Sequence, residues 1–260
     1  MKRYVGAQRG RENFASGVAV LDRELTKALV RDLPLESPMY GRKDPRYRAA
    51  DAALIYLLEL DYPQFLASRA GRSSAWAQSL EKKLVAQVLT LHDDRSGGVY
   101  RYADDTYQRS GFFRNLTTAR LKDMYGGPSG NASSNFAGRN FVVPRGRKAA
   151  WTHFVWQLAA WAGRRFVETE HVQYLKLHEK FFMQGLKLVT GPSKSLDQGA
   201  DGRVRIINLR AWQMPECYIA DKTQSGREMV FPSPHTPLNW ATAEMLAAFE
   251  VREAVLGIMP

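Results

Sequence analysis

A single cysteine, Cys217, stands in 260 residues. That excludes an intrachain disulfide framework and any zinc site built from several thiolates. No run approaches the roughly 18 consecutive apolar residues that a membrane span needs, so no membrane partner is expected. The opening MKRYVGAQRGRENFAS is basic but has no apolar h-region. It does not read as a signal peptide, and a cytoplasmic chain is expected. A GxGxxG or Walker-type loop is lacking, so no motif cradles a nucleotide phosphate. The five histidines form no HExxH pair, and no GxSxG elbow is present. Neither a cofactor nor a metal is expected. Acidic residues are also short: 37 Lys and Arg against 26 Asp and Glu leave a net charge of +11. This surplus attracts anions, but apart from Arg145, Arg147 and Lys148 the cations are scattered. A solvated basic surface with no nucleic-acid partner is the expectation.

What the chain does have is helical periodicity. With 45% hydrophobic and 24% charged residues it reads as globular, and as one domain over 1–260. From Ser16, an N-cap candidate, Val18, Leu21, Leu25 and Ala28 recur at helical spacing. A second pattern starts at Ser74 with Leu80, Leu84, Val88 and Leu91. The third is the clearest, an apolar stripe of Trp151, Phe154, Val155, Leu158 and Ala162 between Lys148 and Arg165. A fourth carries Val172, Leu175, Phe182, Leu186 and Val189. The fifth opens on Thr236-Pro237, an N-cap followed by proline at the first helical position, and continues through Leu238, Met245, Leu246 and Phe249. Between them, 126–140, 191–203 and 226–237 read as loops, and 99–108 as a loop or short strand. The fold class expected is all-α.

The connections hold an unusual density of aromatics, arginine and carboxylates. Tyr100, Arg101, Tyr102, Asp104, Asp105 and Tyr107 share one; Trp212, Glu216 and Tyr218, then Trp240, share another. Aromatic faces pack on sugar rings, and Arg and Asp hydrogen-bond hydroxyls, so this composition suits a carbohydrate pocket. It equally suits aromatics in the core with charges paired at the surface.

Four segments, in order, add to that reading. ADAALIYLLELDY (50–62), GGVYRYADDTYQ (97–108) and WTHFVWQLAAWAGR (151–164) are followed by PECY (215–218) with TPLNWATAEMLAA (236–248). Together they resemble the C-terminal part of the glucoamylase-type family-15 glycoside hydrolases, whose toroid is shared with the phosphorylase kinase regulatory subunits. The resemblance implies an (α/α)6 toroid, here its C-terminal half, and inverting hydrolysis of α-linked glucose oligomers or glucans. In such chemistry one carboxylic acid protonates the leaving oxygen while a second carboxylate, roughly 6.5–9.5 Å away, activates water. By matched position the resemblance makes Glu216 the general base and Arg101 the arginine on the sugar hydroxyls. Tyr102 lies beside it, Asp105 takes the loop's acidic position, and Trp240 borders the pocket.

The sequence departs from the family in three places. The general acid's Trp-Glu-Glu motif falls at Ala7 to Arg9, which reads Ala-Gln-Arg; Glu12 and Asp51 are the remaining carboxylate candidates. Phe112 and Phe113 stand where the family has a tryptophan. The first half of the toroid has no counterpart, so a companion chain or self-association would be needed to cover its inner wall. The substrate expected is an α-glucan or oligosaccharide. The alternative is a non-catalytic carbohydrate-binding or regulatory relative of the same fold.

Overall fold

The computed structural model describes residues 16–21, 23–24, 50–69, 71–102, 148–198, 204–222 and 228–258. A helical stretch covers 16–21 and 23–24, and its apolar members Val18, Val20 and Leu21 face solvent. A 3-10 turn at Ala52–Leu54 then leads into α1 (Ile55–Glu59), α2 (Tyr62–Arg69) and α3 (Ser74–Leu89). Asp51 caps the turn, its side chain accepting from the Ala53 amide, and Ser73 caps α3 by accepting from the Trp76 amide. After β1 (Lys148–Trp151) come α4 (His153–Thr169) and α5 (Val172–Lys187). The strands β2 (Ser193–Gln198), β3 (Val204–Leu209), β4 (Cys217–Lys222) and β5 (Glu228–Pro232) precede α6 (Asn239–Ile258).

The all-α expectation is overturned by these strands. One antiparallel sheet runs β1-β4-β5 and a second pairs β2 with β3, so the described fold is mixed α and β rather than a toroid of helices alone. Trp151, read as the start of a helical stripe, ends β1 opposite Cys217. Strands β2 and β5 lie inside segments read as loops, 191–203 and 226–237. The physical reason is length. Each strand has four to six residues, too few for a period of two to stand out beside Gly and Pro. The alternation is nevertheless there: along β4, Cys217 and Ile219 are buried while Tyr218 and Ala220 are partly exposed.

Helix α4 is the centre of the molecule. Every residue from His153 to Ala162 is buried, so it has no solvent face in its first half. Helices α5 and α6 pack on it through small residues. A Cβ on Gly163 would sit 2.4 Å from Val251 Cγ1 and 2.7 Å from His178 Nδ1, and one on Gly185 would meet the Trp156 ring at 2.7 Å. Close approach therefore requires glycine at both crossings. On α6 the buried positions are Ala241, Ala248 and Val255, seven apart, while Leu246 and Phe249 are exposed. The sequence pattern had placed the larger residues inward. Thr236 does not cap this helix: its hydroxyl donates to the Ser233 carbonyl, and the Thr236-Pro237 bond is cis. No helix among the described residues is long and apolar enough to cross a membrane.

Candidate functional site

The loop residue Arg101 is held by its backbone. Its carbonyl accepts from the Ala52 amide at 2.6 Å, beside a bridge between Asp51 and Tyr102, and two residues earlier Val99 bridges to Trp151. This seats the Arg101 guanidinium over the Trp151 ring, 4.6 Å from its centroid, with the Tyr102 ring at 5.7 Å. Such a cation–π contact holds the plane of the guanidinium against the indole. Tyr102 is buried.

Glu216 enters the same neighbourhood from the other side of the sheet register. Cys217 pairs with Trp151, and the Glu216 carbonyl accepts from the Thr152 amide at 3.3 Å. Its own amide donates to the His235 carbonyl at 3.1 Å, and the buried Thr152 hydroxyl donates to the Pro215 carbonyl at 2.6 Å. The backbone before and after this glutamate is thus fixed, and its side chain is half-buried.

Beyond Trp151 the aromatic run continues. The His153 ring meets Trp151 edge-on at 5.7 Å and is stacked on Trp240 at 4.5 Å with 26° between planes. Trp240 is half-exposed, and its indole N–H donates to Glu244 at 3.0 Å. Arg101, Trp151, His153 and Trp240 therefore form one continuous row. His153 is buried, and neither ring nitrogen finds a hydrogen-bond partner among the described residues. Burial, with repulsion from the Arg101 guanidinium second, pushes its pKa down to about 3, so it is neutral.

A carboxylate pair adjoins the row. The buried Gln157 side chain donates to Glu244 at 3.1 Å and to Glu59 at 3.3 Å. Burial, then the neighbouring Glu244 charge, raises the Glu59 carboxyl to about 7, with Arg164 acting in the opposite direction. Glu59 thus holds its proton over much of the range where an ordinary glutamate has lost it.

Of the sequence-derived site residues, Arg101, Tyr102 and Glu216 converge around β1. Trp240 joins them through His153. Asp105 lies outside the described residues, as do Gln8 and Glu12. Asp51 is engaged as the cap of the Ala52–Leu54 turn. His153, Glu59 and Gln157 were not singled out. The signal for His153 was its place among aromatics in WTHF; Glu59 and Gln157 lie 98 positions apart, and nothing local links them. A second buried polar group serves the fold: Glu81 pairs with Arg165 at 3.2 Å and accepts from the Tyr174 hydroxyl at 3.0 Å. No group of three or more His, Cys, Asp or Glu residues that could hold a metal occurs among the described residues. Compared with family models, curated proteins and solved structures, the chain has no match.

Proposed function

We propose that this chain hydrolyses α-linked glucose oligomers with inversion, Glu216 serving as general base and Arg101 hydrogen-bonding sugar hydroxyls. One observation carries the proposal: Glu216, on a backbone fixed from both sides, stands one residue before Cys217, the β4 partner of Trp151, over whose ring Arg101 lies. A half-buried carboxylate can orient a water, and a planar cation lying over an aromatic ring can bind a polyol. Trp240 supplies a half-exposed indole face at the end of the row, suited to the apolar face of a pyranose.

The engagement of Asp51 as a cap favours a second reading, carbohydrate binding without turnover, because it removes one candidate for the acid that protonates the leaving oxygen. α-Glucosyl fluoride separates the two, since fluoride leaves without protonation. Proton NMR of the purified chain should show β-glucose released from the fluoride, and Glu216→Gln should slow this by about 10²–10⁴. Release from maltose as well would mean that an acid is at work. Maltose binding without release from either substrate would sink the catalytic reading and leave the binding one.

A further inference from the structure

Trp212 is 88% exposed, the most exposed large apolar side chain among the described residues. It also has φ of +62°, in the left-handed region, where a side chain with a Cβ is sterically disfavoured. The turn that imposes this conformation is tightly held. The Trp212 amide donates to the Thr190 carbonyl at 2.7 Å, and the Thr190 amide donates to the Gln213 carbonyl at 2.9 Å. The Gln213 amide donates to the Thr190 hydroxyl at 3.1 Å, and the Arg210 amide donates to Gln213 Oε1, also at 3.1 Å. Thr190 itself is buried. The fold therefore fixes the backbone and gains almost nothing from the indole, which stands in water. Glycine would satisfy the same turn without the steric cost. An aromatic displayed on a fixed backbone at a cost in stability fits a ligand-binding role better than a packing one.

Its place in the chain indicates the ligand. Trp212 precedes Glu216 by four residues, a span of at most about 14 Å fully extended, and Met214 and Pro215 between them are buried and anchored. We infer that Trp212 is a stacking platform for a sugar unit a few rings away from the one at Glu216. The site then takes an α-glucan chain of several units in preference to a disaccharide. This rests on the carbohydrate reading of the Glu216 site.

The test is calorimetric titration of the whole chain with maltose and with maltoheptaose, for wild type, Trp212→Gly and Glu216→Gln. Thermal melts and sedimentation of each accompany it. For Trp212→Gly we expect an unchanged or higher melting temperature, about tenfold weaker binding of maltoheptaose, and maltose binding within about twofold of wild type. Equal maltoheptaose affinity in wild type and Trp212→Gly would overturn the inference while leaving the Glu216 reading in place. No binding of either sugar by wild type would overturn both. A self-associating wild type that Trp212→Gly renders monomeric, with sugar binding unaltered, would assign the indole to a protein contact and overturn the inference.

Discussion

His153 is an imidazole with no described hydrogen-bond partner, enclosed by Trp151, Phe154 and Trp240. Its pKa of about 3 in the fold, against 6.5 ordinarily, means that the unfolded chain takes up a proton first as the pH falls. Stability contributed by the neutral ring is complete above about pH 6.5 and is lost progressively toward pH 3. Phenylalanine keeps the stack and removes both nitrogens. His153→Phe should melt at or above the wild-type temperature at pH 7, and the gap should widen between pH 6 and pH 4, read by circular dichroism. A constant gap would place the proton linkage elsewhere. At this scale the sequence was informative about residue type. Arg101, Glu216 and Trp240 were named from motifs, and the fold brings them near Trp151 and His153. It gave no hint that Tyr102 is buried, because burial depends on the Asp51 bridge from a separate segment.

The helices show how far periodicity reaches. The pattern from Ser74 matches α3 to within its caps, since most of one face is buried and the other exposed. For α5 the inward face is Tyr174, His178, Phe181, Phe182 and Gly185, while Val172 and Leu186 of the expected stripe face outward. Contact with α4 decides this: Gly185 admits the Trp156 ring, a fit that hydrophobicity does not register. The same logic makes Gly163 a sharp test. Alanine gains about 1 kcal/mol of helix propensity over glycine. Its Cβ, however, would lie 2.4 Å from Cγ1 of the β-branched Val251. Overpacking of that kind typically costs about 1–3 kcal/mol. Gly163→Ala should therefore be destabilised by up to about 2 kcal/mol in urea unfolding, and a stabilised variant would mean that α4 and α6 separate readily.

At the scale of the whole molecule, the buried His153 and the half-buried Glu59 tilt stability in opposite directions. Glu59 is raised from 4.5 to about 7, so its stabilising protonated form is fully present below about pH 4.5 and is lost as the pH rises through 7. That slope opposes the one from His153 between pH 4.5 and 6.5, which flattens the wild-type profile there. Glu59→Gln keeps the shape and removes the charge beside Glu244. Its melting temperature should exceed wild type by about 2–4 °C at pH 8, with no difference at pH 4. An equal shift at both pH values would show packing rather than protonation.

The sequence by itself determined helices α3 to α6, the lack of a disulfide framework, the basic balance and the density of aromatic, arginine and carboxylate side chains in the segments that hold Arg101 and Glu216. These follow from local spacing and composition, which each segment carries alone. Tertiary structure decided the five strands, which exist only because β1 meets β4, β4 meets β5 and β2 meets β3. It also decided the inward faces of α5 and α6, the Trp151–His153–Trp240 row, and the sharing of Gln157 by Glu59 and Glu244. Most of these join residues distant in sequence, and their energies come from close packing and desolvation that no single segment can supply.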